Sequence, residues 1–215
     1  KAVRDFHLSG IDLEPAQKQR FKDIQARLAE LAQMFSNNVL DATEAWQKHI
    51  LDKALLQGLP ESSLAMLQQI AKSKSLDGYV ITLDAPVYMA AMMYADDRNL
   101  RRELYMAYMT RASDQGPNAG KFDNSQIMVE TLQLRQEMAS LLGFATYSDR
   151  SLFTKMANHV DEVMAFLNDL AVKAVPFARN EVAELSRYAL AKFGIEEIKS
   201  WDFAYFSEKY RQQHY

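Results

Sequence analysis

The stretch PAQKQRFKDIQARLAELAQMFSNNVLDATEAWQKHI, Pro15 to Ile50, decides the fold class. Its apolar residues fall at Phe21, Ile24, Leu28, Leu31, Phe35, Val39, Ala42, Trp46 and Ile50, always three or four positions apart. That spacing averages close to the roughly 3.6-residue period of an α-helix and puts these side chains on one stripe. Pro15 stands where a first helical turn tolerates proline. The spacing predicts one very long helix, or two in line broken near Ser36-Asn37-Asn38. Either way other helices must cover the stripe, because packing rather than propensity stabilises it.

Composition points the same way. The 215 residues include only 7 glycines and 5 prolines, glycine at about half its usual share of roughly 7%. So little turn material implies long helices, and the expected class is all-α, with at most one short β-like segment near 79–83. The length allows one large domain or two small ones. The expected division is an N-terminal arm over 1–12, a helical bundle over 13–194 and an aromatic-rich helix over 195–215. No period of 20–50 residues repeats, which argues against a solenoid.

The absence of cysteine excludes disulfide scaffolds, thiolate zinc sites, iron–sulfur clusters and cysteine nucleophiles. Lys+Arg 25 against Asp+Glu 28 gives a net charge of −3, so there is no electrostatic case for nucleic acid. The longest uncharged apolar stretch, Ala85 to Ala95, is far shorter than the roughly 18–20 residues that span a bilayer. No apolar signal core opens the chain, and the aromatic periodic pattern at Arg211-Gln212-Gln213-His214-Tyr215 has no stop signal. The expectation is therefore a piece of something larger, without a membrane or nucleic-acid partner.

Local signals divide the remainder. Gly58 closes the first region, and Pro60 opens a helix carrying Leu64, Leu67 and Ile70. Asp77-Gly78 marks a turn before the β-like run Tyr79-Val80-Ile81-Thr82-Leu83. Asp84 and Asp97 are expected helix caps, the second helix running to about Ala112. A glycine-bearing loop over 113–121 precedes a helix with Ile127, Thr131, Leu134, Met138 and Leu141, which stops at Gly143. Thr146 with Asp149, and Asn158 with Asp161, resemble capping boxes. Pro176 should kink or split the last long helix.

Chemistry is sparse. The four histidines, His7, His49, His159 and His214, lie forty or more residues apart and form no i, i+4 metal pair. Gly116-Pro117-Asn118-Ala119-Gly120-Lys121 departs from a phosphate-binding loop. It has three residues between its glycines instead of about four, and Phe122 stands where a hydroxyl is needed. A rigid interhelical turn explains it better, and a loop at the rim of a binding channel stays open. Asp96-Asp97 and Glu196-Glu197 point about 100° apart on a helix and make no acid–base dyad. Met89, Met92, Met93, Met106 and Met109 suit either a core or an adaptable groove, the core being preferred. Ser200 to Tyr210 is dense in aromatics, which implies a buried helix or an aromatic-lined cleft.

Three segments go beyond such general features: Phe35 to Thr43, Thr110 to Lys121, and Trp201-Asp202 through Lys209. All three resemble the thimet oligopeptidase family of zinc metallopeptidases, and the resemblance runs over essentially the whole chain. It implies an enzyme that cuts short peptides in a deep channel between two mostly helical halves. It further implies zinc held by a His-Glu-x-x-His helix and a later glutamate, the metal activating water and the motif glutamate acting as base. The motif is missing here. The family's layout puts it beyond Tyr215, so the chain is expected to be an N-terminal portion that supplies channel wall, is cytoplasmic, binds no zinc and is inactive alone. Apolar faces left open would favour self-association, most of all from Trp201 onward.

No catalytic or metal residue carries over. Trp201, Asp202 and Tyr205 are the substrate-channel candidates. Two departures from the family's pattern stand out. Phe122 replaces a common tryptophan after the glycine-lysine, and Phe206 replaces the second of two tyrosines. The alternative reading is a free-standing helical module that grips peptides or partner helices without hydrolysis.

Overall fold

The computed structural model describes residues 2–214. Nine α-helices, two short 3-10 helices and one two-stranded sheet make up the regular structure among the described residues. The helices are α1 (Ala2–Leu8), α2 (Pro15–Glu44), α3 (Glu61–Ser73), α4 (Ala85–Tyr94), α5 (Arg98–Met109), α6 (Ser125–Leu141), α7 (Tyr147–Leu152), α8 (Val160–Phe193) and α9 (Phe203–His214). The strands are β1 (Gln47–Ile50) and β2 (Tyr79–Thr82), paired antiparallel with Gln47 opposite Thr82 and Ile50 opposite Tyr79. The all-α expectation holds, and α2 runs unbroken through Ser36-Asn37-Asn38.

The chain divides into two compact units. The first comprises residues 1–37 and 124–176, the second 38–123 and 177–215. In the first unit, Phe21, Ile24 and Leu31 of α2 pack with Ile127, Leu134 and Met138 of α6. Bidentate pairs join the same two helices: Arg20 to Glu137 and Arg27 to Glu130. Seven residues up α2 correspond to seven residues down α6, so the helices run antiparallel. The α6 helix ends in a left-handed Gly143, with the Phe144 N–H donating to the Ala139 carbonyl. Thr146 and Asp149 form the expected capping box of α7.

In the second unit, α3, α4, α5 and β2 enclose Leu56, Leu67, Ile81, Leu83, Met92 and Leu104. The β-like run is indeed a strand, but its partner β1 corrects the reading of Pro15 to Ile50. Trp46 lies beyond the helix and Ile50 lies in a strand. A step of four is close to one helical turn and is also a multiple of the strand period of two, so spacing alone does not separate them.

Three further corrections are local. Asp84 does not cap α4 through its side chain; it accepts from the Thr82 hydroxyl instead. The Asn158 N–H meets Glu162 rather than Asp161. Pro176 sits inside α8 without splitting it.

Leu31 and Leu104 are both almost fully buried, whereas Phe35 is 39% exposed despite lying on the same stripe as Leu31. Leu31→Ala and Leu104→Ala should each cost about 2–5 kcal/mol in urea unfolding, and Phe35→Ala distinctly less.

Candidate functional site

The aromatic segment is anchored by a buried charge. Asp202, at the end of a short 3-10 turn (Ser200–Asp202), has no solvent exposure. Its carboxylate accepts from Arg98 Nε and Nη2, the latter at 2.7 Å, from Arg101 Nη2 at 2.9 Å and from the Lys199 N–H at 3.0 Å. Burial opposes ionisation. The hydrogen bonds from Arg98, Lys199 and Arg101 together outweigh it and hold the carboxyl below the usual carboxylate range.

Arg98 and Arg101 stand three apart on one face of α5, whose start is fixed by Asp97 accepting from the Leu100 N–H. Arg101 also donates from Nη1 to the carbonyls of Ala95 and Asp96, and its guanidinium lies 3.9 Å from the centre of the Tyr205 ring. The Tyr205 hydroxyl donates to Asp96 Oδ1 at 2.8 Å, and Lys209 pairs with the same oxygen. Burial, reinforced by the neighbouring Asp96 carboxylate, pushes the Tyr205 phenol well above its ordinary value. Asp96 is itself placed by its N–H donating to the Gln57 carbonyl. Gly58 closes this junction with φ +91, and a Cβ there would stand 2.2 Å from the Tyr94 carbonyl oxygen.

The three predicted channel residues are thus brought together, in unequal settings. Asp202 and Tyr205 are buried. Trp201 is half-buried, edge-on to Tyr105 at 6.2 Å, with the Arg102 guanidinium 5.7 Å from its ring. Sequence reasoning missed Arg98, Arg101, Asp96 and Lys209. The i, i+3 arginines next to an acidic cap were the available signal.

A second junction joins two of the family-like segments. Arg111 Nη1 donates to the Thr43 hydroxyl at 2.8 Å, and its guanidinium lies 3.6 Å over Tyr108, which stacks on Tyr88 at 3.9 Å. Burial, with Tyr108 adding to it, pushes the Tyr88 phenol up to about 12. The 113–121 loop is self-bonded: Ser113 accepts the Gly120 N–H on its carbonyl and the Gln115 N–H on its hydroxyl. The left-handed Gly116 approaches Thr110 so closely that a Cβ would lie 1.9 Å from its hydroxyl oxygen. This is the geometry of a rigid turn. The methionines correct their core reading. Met92 is buried, but Met89, Met106 and Met109 are exposed.

Zinc does not fit the described residues. It needs three or more convergent donors, and among the described residues no such group of His, Cys, Asp or Glu exists. Three histidines donate to backbone carbonyls: His7 to Leu142, His49 to Asp77 and His214 to Tyr210. His159 is exposed. No helix among the described residues is long and apolar enough to cross a membrane.

Comparison with known proteins gives the wider setting. The family model described as "Peptidase family M3" matches residues 91–215, more than half of the chain. Oligopeptidase A of Escherichia coli is 52% identical over 214 residues, covering 100% of this chain and 32% of that protein. Probable cytosolic oligopeptidase A of Arabidopsis thaliana is 36% identical, covering 99% and 31%. Dipeptidyl carboxypeptidase of Escherichia coli is 27% identical, covering 97% and 30%. The chain spans about a third of the length of the curated relatives it matches.

Two stability tests follow from the Asp202 junction. Asp202→Ala strands two guanidinium groups and should cost about 3–5 kcal/mol. Because the Asp202 carboxyl ionises more readily folded than unfolded, its contribution is present above the unfolded value near 3.9 and is lost as pH falls through the folded one. Urea unfolding should therefore weaken on acidification below about pH 4, with a smaller pH slope in Asp202→Asn.

Proposed function

This chain belongs to peptidase family M3, and from that membership we propose that it is one helical portion of a zinc-dependent oligopeptidase that hydrolyses short peptides in a deep channel. Its role is scaffold and channel wall, and it is inactive alone. The observation that carries the reading is the match to oligopeptidase A over 100% of the chain but only about a third of that enzyme. The zinc belongs to a part of the parent enzyme outside these residues.

Within the wall, Trp201 is the side chain that meets the channel. It is half-buried and flanked by Tyr105 and Arg102, which leaves an aromatic edge for an extended peptide. Asp202 and Tyr205 serve it from behind. Their polar atoms are occupied by Arg98, Arg101 and Asp96, so they fix the turn that carries Trp201 rather than bind substrate.

Self-association of the isolated chain is a further part of this proposal. The surface responsible is α8 rather than the segment from Trp201 onward, where Tyr205 and Phe206 are buried. Phe166, Leu167, Leu170 and Val172 of α8 are all exposed.

Hydrolysis of a quenched-fluorescent peptide, with added zinc and with or without chelator, tests the reading. The 215-residue chain should give no chelator-sensitive turnover, and the longer polypeptide carrying the His-Glu-x-x-His helix should give it. Chelator-sensitive turnover by the chain alone would overturn the proposal. In the longer enzyme, Trp201→Ala should raise KM more than it lowers kcat, because it removes binding surface and no reacting group.

A further inference from the structure

The first unit carries a cleft that its own residues do not fill. On one flank of the antiparallel pair α2 and α6, the seam is closed by Arg20–Glu137 and Arg27–Glu130. On the other flank lies a cavity of about 600 Å³. Leu28, Leu31 and Phe35 line it from α2, and Met128, Leu132 and Arg135 from α6, with Tyr147 at the side. Positions 28, 31 and 35 and positions 128, 132 and 135 each span one heptad at helical spacing. Two parallel ridges seven residues long leave a trough whose period suits a third helix.

The chemistry of the walls narrows the occupant. They are mostly apolar, with Ser36, Thr131 and Arg135 the polar members, and Met128 (47%) and Leu132 (64%) are exposed to water, an unfavourable arrangement for side chains packed at this spacing. Arg135 supplies the one exposed cation of the lining. Its guanidinium lies 5.2 Å from the Tyr147 ring, and among the described residues no carboxylate pairs with it. Arg20 and Arg27, on the opposite flank, are each held by a glutamate. The trough is therefore complementary to an apolar helix face that presents a carboxylate at the Arg135 end.

We propose that this cleft receives an amphipathic helix from the part of the parent peptidase outside these 215 residues, seated with an acidic side chain against Arg135. The source of the helix rests on the reading above, in which the parent is about three times as long as this chain. With two thirds of the polypeptide unaccounted for, an internal helix meets the cleft at high effective concentration, which an external partner does not.

Methionine oxidation reads the occupancy directly, because susceptibility follows exposure. In the 215-residue chain at low concentration, Met128 should oxidise readily with dilute peroxide. In the longer polypeptide it should oxidise about tenfold more slowly. Arg135→Glu removes the Tyr147 contact in both and should lower the melting temperature of the longer polypeptide distinctly more than that of the short chain.

Equal oxidation of Met128 in both, or an equal response of both to Arg135→Glu, would overturn the proposal. Protection appearing in the short chain as its concentration rises, together with a dimer in sedimentation, would also overturn it in favour of a second copy. The peptidase assay stands apart from these readouts. Absence of hydrolysis with Met128 still shielded removes the functional reading and keeps the helix, whereas hydrolysis with Met128 unshielded does the reverse.

Discussion

A carboxylate with no access to water has to be met by enough donors to replace its hydration, and Asp202 organises the second unit around that requirement. Two arginines on successive turns of α5 and one backbone N–H supply the donors. Arg101 cannot reach Asp202 without being buried itself, so the carbonyls of Ala95 and Asp96 and the Tyr205 ring take up the rest of its guanidinium. Asp96 then holds the Tyr205 hydroxyl and Lys209. The chain before α5, the 3-10 turn and α9 are thereby fixed by one connected set of charges. The arrangement gives up little net stability relative to apolar packing of similar volume, but it gives directional placement, which apolar contacts alone do not.

The long helices face a different constraint. A helix of 30 residues, like α2, carries more stripe than one small core can cover, and the boundary between the two units falls within it, at Asn37 and Asn38. Phe21, Ile24 and Leu31 are buried in the first unit, and Ala42 is buried further along. Phe35, between these sets, is exposed. The other long helix, α8, is continuous but likewise shared between the units, the boundary falling at Pro176, and residues 164–176 are all exposed. Both long helices therefore carry apolar side chains that this chain leaves exposed, Phe35 and Leu40 on α2 and Phe166 and Val172 on α8.

Much of this was legible in the residues. The 3.6 period located α2, α3, α5, α6 and α8, and the residue types at Asp97, at Gly143 and at Thr146 with Asp149 marked the start of α5, the end of α6 and the start of α7. What escaped has identifiable physical causes. β1 is polar at Gln47, Lys48 and His49, and it exists because β2 offers a ladder, a partner distant in sequence that local pattern does not contain. Met89 sits on the apolar α4 and Met106 and Met109 on the amphipathic α5, and a methionine's hydrophobicity indicates burial without saying which side is covered. In the candidate site, aromatic density flagged Trp201 and Tyr205, and the resemblance flagged Asp202. The arginines that give Asp202 its meaning were passed over because i, i+3 cations on a charged helix usually face solvent.

The two departures from the family's aromatic pattern gain a physical interpretation from their surroundings. Phe206 is 1% exposed and packs with Tyr205, Phe193 and Ala189. A hydroxyl at that ring would need its own partner in the core. Phe122 is half-buried with the Lys121 ammonium 5.0 Å from its ring. The cation–π contact that a tryptophan would make there survives in weaker form. Both positions keep an aromatic ring, smaller than tryptophan at Phe122 and without the hydroxyl at Phe206. Of the third segment's aromatic residues Trp201, Tyr205 and Phe206, Trp201 alone is half-buried, while the other two are buried beside Asp202 and Arg101.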